Sequence, residues 1–255
     1  MPLFEAVRLA LDTLRVQKLK SFFTLLGVMI GVMFLVGVIS IVEGMQKYVE
    51  EDFAAKLLGV NTFTLRRFPD INIGNVSNKI WREYNRRPRL YTADITLARE
   101  AVPPGALTSI ETVVFWPATS PYARPRVVLA IGAEANYFRI KKYSLSRGRA
   151  FSTQEVDRGL PVAVIGTEIA DHFFPGKLDP LGREVRLHGI PYTVIGLIEP
   201  QGKVFGFSMD QMFITPWTSP IRRVTNPRGD IDALVVQAAS RDDISEAMES
   251  VRAVL

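Results

Sequence analysis

Residues 18–44 read KLKSFFTLLGVMIGVMFLVGVISIVEG. Between Lys20 and Glu43 there are 22 uncharged residues, Ser21 to Val42, nearly all apolar. As a helix they extend about 33 Å, enough to cross a hydrocarbon layer of about 30 Å. A core helix of a soluble protein rarely runs this long without one charged position. A cleavable leader would have an apolar region of about 7–15 residues ending at small side chains. This run instead leaves through Val38-Ile39-Ser40-Ile41-Val42-Glu43. The stretch reads as an uncleaved membrane helix over 21–42.

Working outward, charge sets the expected orientation. Residues 1–20 carry Arg8, Arg15, Lys18 and Lys20 against Glu5 and Asp12, whereas Glu43, Lys47, Glu50, Glu51 and Asp52 follow the helix. Basic flanks stay cytoplasmic, so the N-terminus is expected inside and the rest of the chain outside. Over residues 3–19 the polar side chains recur every three or four positions, with Leu3, Phe4, Val7, Leu11 and Leu14 opposite. Such a helix lies in the headgroup layer, its arginines and lysines meeting anionic lipid, or packs on another protein with the same face. Gly27 and Gly31 form a GxxxG pair, where a second membrane helix can approach closely, although glycine is common in such helices anyway. Past the membrane, Met45, Val49, Phe53 and Leu57 step by four towards Gly59, the pattern of a stalk helix over 43–59.

The strand-like runs VVLAIGA, PVAVIG and YTVIGLI are far too short to span. Residues 60–255 read as one α+β domain, large enough for a real core. VNTFTLRR is a strand, residues 68–92 a polar Arg- and Asn-rich loop, DITLAREAV a helix and TSIETVVFWP a strand. Three prolines between Pro117 and Arg126 are expected to break the pattern and open a β-rich insertion over 117–210. Within it, NYFRIKKYSL and TEIADHFFPG read as helices, and EVRLHGIPYTVIGLIEP as a hairpin turned at His188-Gly189. FITPW, IDALVVQA and a terminal helix return to the first part of the domain, so 60–116 and 211–255 belong together.

Catalytic chemistry is not spelled out. His172 and His188 are isolated, without metal-ligand spacing. Gly206-Phe207-Ser208-Met209-Asp210 lacks the second glycine of a nucleophile elbow, and Pro175-Gly176-Lys177-Leu178 lacks the rest of a phosphate loop. The absence of cysteine removes disulfides and thiol chemistry. Basic and acidic side chains after residue 20 nearly balance, so nucleic acid is not an expected partner. Arg82, Arg86, Arg87 and Arg89 with Trp81 and Tyr84 make a contact patch or, more plainly, a solvated loop. Asn75-Val76-Ser77 matches a glycosylation acceptor, a pattern frequent by chance.

The segment Leu14-Arg15…Lys18-Leu19-Lys20-Ser21-Phe22-Phe23-Thr24-Leu25-Leu26-Gly27-Val28-Met29-Ile30-Gly31 resembles the amino-terminal signature of MacB/FtsX-type ABC transporter permeases, with Lys20 in place of the usual Arg. Gly148-Arg149-Ala150-Phe151, Pro161 to Gly166, Asp179-Pro180-Leu181-Gly182, Tyr192 to Gly196 and Phe213-Ile214-Thr215-Pro216 are similar to the MacB-like periplasmic core domain in order and spacing. The resemblance implies a non-catalytic permease without a cofactor of its own. Its energy would come from a cytoplasmic ABC ATPase, and a second permease copy or chain would supply further membrane helices. A periplasmic adaptor is a further implied partner. It also implies a Porter-like part (60–116 and 211–255) interrupted by a Sabre-like insertion (117–210). Family members add three membrane helices after this domain, so a chain ending at Leu255 is expected to be a fragment, a truncated copy or half of a split permease. The alternative is a single-pass scaffold that binds an envelope partner without transport.

Overall fold

The computed structural model describes residues 16–47, 61–68, 78–176, 178–204 and 207–255. The chain divides into two units, residues 1–54 and 55–255. In the first, helix α1 covers Lys18–Lys47 and contains the expected span. Its apolar side chains stay uncovered, Phe34 at 74% exposure and Ile41 at 69%. Near its start the Thr24 hydroxyl is satisfied internally, Oγ1 donating to the Lys20 carbonyl over 2.9 Å, as a helix surrounded by hydrocarbon requires. Most of the expected headgroup helix, with Arg8 and Arg15, lies outside the described residues. So do the stalk beyond Lys47 and the Asn75 acceptor.

The second unit runs β1 (Thr62–Arg66), α2 (Asn78–Arg86), α3 (Thr92–Ala101), β2 (Leu107–Ser120), β3 (Ala123–Ala133), α4 (Tyr137–Ile140) and β4 (Leu145–Gly148). It continues with α5 (Thr153–Asp157), β5 (Val162–Ile165), α6 (Thr167–Phe173), β6 (Glu184–Leu187), β7 (Ile190–Ile198) and the short pair β8 (Lys203–Val204) and β9 (Phe207–Ser208). The last elements are β10 (Met212–Pro216), α7 (Ile221–Thr225), β11 (Ala233–Gln237) and α8 (Asp243–Val254).

One sheet carries all the longer strands, in the order β1-β11-β2-β3-β10-β5-β7-β4. Strand β6 leaves β7 through the His188-Gly189 turn and also pairs with the far end of β2, Ala118 opposite Leu187. That second pairing closes β2, β3, β10, β5, β7 and β6 into a ring. The other end of the sheet, β2-β11-β1, stays open. Strand β2 serves both regions because its 14 residues outrun its partners. The alternation of the strands sorts the core into three clusters. Ala130, Ile165, Phe173, Val185, Tyr192 and Phe213 fill the ring beneath α6. Ile131, Phe138, Phe151, Val164 and Ile214 lie on the opposite face beneath α4 and α5. Ile95, Ile110, Leu234, Val236 and Val251 join the open end of the sheet to α3 and α8.

Two local expectations are corrected. Pro117 and Pro125 lie within strands without breaking them, and Pro121 sits in the turn between β2 and β3. Pro117 sits inside β2 opposite Val127, and its carbonyl accepts from His188 N–H over 2.9 Å. The register slips just beyond it, between Ala118 and Ser120, opposite Arg124 and Pro125. Such a bulge tolerates a residue without an N–H. Residues 78–86, expected as loop, form α2. Its stripe is aromatic and cationic rather than aliphatic, so the usual apolar period is missing.

Candidate functional site: membrane helix, buried charges and interaction faces

On α1, Lys18 and Lys20 lie exposed in the first turn. Further along, a Cβ built on Gly27 or Gly31 meets nothing within 4 Å beyond the helix's own backbone. The most apolar 18-residue window within residues 18–44 has a mean hydropathy of 2.8, and none of it is buried within the chain. Among the described residues this is the one helix long and apolar enough to cross a membrane.

The histidines sit in structural positions. His172 Nε2 lies 3.0 Å from the Arg124 carbonyl, and the His188 ring stacks on Trp116 at 4.7 Å. Among the described residues, no group of three His, Asp or Glu side chains could hold a metal ion. The Glu168 carboxyl, held below the usual carboxylate range chiefly by hydrogen bonding to Ser208, also accepts from Arg126 and Gln211. It ties α6 to its neighbours.

The most heavily buried charges gather on the sheet. In register, Arg66 of β1 faces Ala233 of β11, which faces Glu111 of β2, which faces Ala133 of β3. The two alanines leave room above the sheet for the longer side chains to meet. Arg66 Nη2 lies 3.6 Å from Glu111 Oε1. Lys141, just after α4, brings Nζ to 3.9 Å from Glu111 Oε2, and its side chain is 7% exposed. The same ammonium lies 5.7 Å from the ring centre of Tyr137. Burial pulls the Arg66 and Lys141 pKa values down, with Glu111 opposing it. Burial raises Tyr137 and Tyr143, and Glu111 adds to both. The cluster therefore fastens β1, β2 and the α4 segment together electrostatically. The sequence reading missed it, because its members are far apart in the chain and meet only through strand register.

Two surface faces complete the site. On the β2–β3 hairpin, Val113, Phe115 and Val127 are 45%, 71% and 56% exposed, an apolar stretch beyond the reach of α4 and α5. Around α2, Phe68, Trp81 and Tyr84 form a triangle with ring centres 6.1, 6.5 and 6.4 Å apart. Arg67 lies 5.0 Å over Phe68, and Arg87 lies 4.7 Å over Tyr84. Arg89, by contrast, is drawn off into a 2.7 Å pair with Asp230. Of the four arginines grouped from sequence, Arg87 braces the aromatic triangle, Arg82 and Arg86 lie exposed on α2, and Arg89 is separated.

The family model described as the MacB-like periplasmic core domain matches residues 21–254. The chain belongs to that family. Among sequence relatives, the macrolide export ATP-binding/permease protein MacB of Neisseria meningitidis serogroup A is 27% identical over 222 residues, covering 87% of this chain and 32% of the relative. MacB 2 of Yersinia pestis bv. Antiqua is 26% identical over 250 residues, covering 98% of this chain and 35% of the relative. The chain thus spans about a third of the length of the curated relatives it matches. In fold, the chain is similar to the periplasmic region of MacB from Actinobacillus actinomycetemcomitans. That match has a TM-score of 0.59 and 19% identity, over 79% of this chain and 84% of that one. The extracellular domain of the ABC-type transporter YknZ from Gram-positive bacteria matches with a TM-score of 0.57 and 21% identity, over 76% and 92% of the two chains. A MacB-like periplasmic core domain following an apolar helix fits a membrane-anchored protein with an extracytoplasmic domain.

Proposed function

We propose that this chain is part of the permease of an ABC transporter, transmitting the motion of a partner ATPase to an extracytoplasmic domain for efflux or envelope export. The observation that carries the reading is the family match over residues 21–254, which takes in both the apolar helix and the domain after it. In this reading α1 crosses the inner membrane with its N-terminus inside and continues as a stalk over 43–59. Residues 60–116 and 211–255 form the Porter-like part, and 117–210 the Sabre-like insertion. Gly27 and Gly31, open along α1, receive a helix of a second permease copy. Arg8, Arg15, Lys18 and Lys20 hold the cytoplasmic face against anionic lipid, close to the ATPase. ATP hydrolysis belongs to that partner, and a periplasmic adaptor meets the extracytoplasmic domain.

The test is photo-cross-linking in cells from a benzoyl-phenylalanine placed at Leu19. The expected product is an ABC ATPase, recognised by its phosphate-loop peptide, whose yield changes when vanadate traps the nucleotide state. Cross-links to lipid and to further copies of this chain alone, indifferent to vanadate, would instead support the single-pass scaffold.

A further inference from the structure

We propose that the surface formed by Phe68 and α2 binds anionic lipid headgroups. The proposal rests on the reading of α1 as a membrane span, which makes the bilayer the permanent neighbour of this chain. Phe68 follows Lys47 by 21 residues, close along the sequence to the proposed span.

The chemistry of the surface selects its occupant. Trp81 and Ile80 are 42% and 39% exposed, and Phe68 is 36% exposed. A folded domain has little reason to leave three such side chains together in water. Aromatic rings with an apolar body and a polar edge settle at the headgroup level of bilayers, where arginine finds phosphate. Among the described residues, Arg82, Arg86 and Arg87 form no ion pair with a carboxylate. Arg67 and Arg87 are braced instead, Arg67 donating to the Asn85 carbonyl and Arg87 donating to the Arg67 carbonyl over 3.2 Å. The rings beneath them, at 5.0 and 4.7 Å, hold both guanidinium planes in place. With Glu83 the one acid on α2, the helix is net cationic. An acidic protein would satisfy the arginines but has no general need for the Trp–Ile–Phe surface, whereas an anionic leaflet takes both.

Because the chain lacks cysteine, Asn85→Cys provides a single nitroxide site on the exposed side of α2. The labelled full chain is placed in nanodiscs of phosphatidylcholine alone or with phosphatidylglycerol. Protection from a water-soluble nickel chelate is expected only with phosphatidylglycerol, and raised salt is expected to remove it. Arg82→Gln and Arg86→Gln, both at exposed side chains, are each expected to weaken the bound state about fivefold, the effect of one basic residue near an anionic leaflet. Circular dichroism controls for folding. Equal chelate access in the two lipids overturns the proposal. Protection that appears only on adding polyglutamate also overturns it, in favour of an acidic protein partner. Retention of the chain through an alkaline wash reports the span separately. If it is lost, flotation of the released chain with phosphatidylglycerol vesicles still decides the headgroup proposal, and lack of flotation overturns it.

Discussion

At the scale of the residue, close backbone contacts and one carboxylate give the sharpest expectations. Gly148 has φ of 74°, and a Cβ there would lie 2.2 Å from the Ile195 carbonyl oxygen. Facing it, a Cβ on Gly196 would lie 2.4 Å from the Arg149 carbonyl. Strands β4 and β7 can approach this closely only because neither residue has a side chain. Gly148→Ala combines a left-handed backbone with a clash, so a loss of about 3 kcal/mol is expected in urea unfolding followed by tryptophan fluorescence. Glu155 gives a pH dependence. It accepts two hydrogen bonds from Arg149, at 2.7 and 2.8 Å, and closes a capping box with Ser152 at the start of α5. Hydrogen bonding to Arg149, above all, moves its pKa from 4.5 to about 2. A folded pKa below the unfolded one contributes stability above about pH 4.5 that is lost as pH falls towards 2. Arg149 is largely exposed, so solvent screens the effect to about 1 kcal/mol or less. Glu155→Gln is expected to flatten the stability profile between these pH values and to leave its slope above pH 6 unchanged.

At the scale of the element, the Arg66–Glu111–Lys141 cluster joins three pieces whose sequences do not point to one another. Glu111→Gln keeps the shape and removes the anion, leaving two buried cations facing each other at a cost of about 3–5 kcal/mol. Adding Lys141→Met to that variant should return part of the loss, since one of the two facing cations then leaves the interior. Chemical unfolding of the single and double variants reads this non-additivity directly. The same cluster shows what a sequence can and cannot convey. The helix at Lys18–Lys47, the turn at His188-Gly189 and the strand at 162–165 were legible, because composition and neighbours dictate them locally. The meeting of Arg66 with Glu111 was not, because it depends on β11 from the far end of the chain lying between their strands. Helix α2 was missed for another reason. Its arginines and aromatics serve a surface and leave no aliphatic period to detect.

At the scale of the whole molecule, the question is whether 117–210 folds as a separable insertion or as part of the same body. The prolines around Pro117 suggested a seam, yet β2 and β3 run straight through it, and β10 from the later part lies between β3 and β5. The ring core draws Phe173 from the insertion and Phe213 from the segment after it. Breaking either segment away would expose both, so the three clusters should melt together. For residues 55–255, the unit whose relatives were crystallised as isolated regions, calorimetry is expected to show one transition with matching van't Hoff and calorimetric enthalpies. Phe173→Ala in the insertion and Leu234→Ala in β11 both empty fully buried sites. Each should lower that single midpoint by about 10 °C, from a cavity cost of about 3–4 kcal/mol in a domain of this size. Two transitions, each answering to one substitution only, would make the insertion thermodynamically independent. A single shared transition has a consequence for the proposed transport role. A displacement delivered at β1, where the chain from the membrane helix enters the sheet, would be carried through β11 and β2 into the ring as one body.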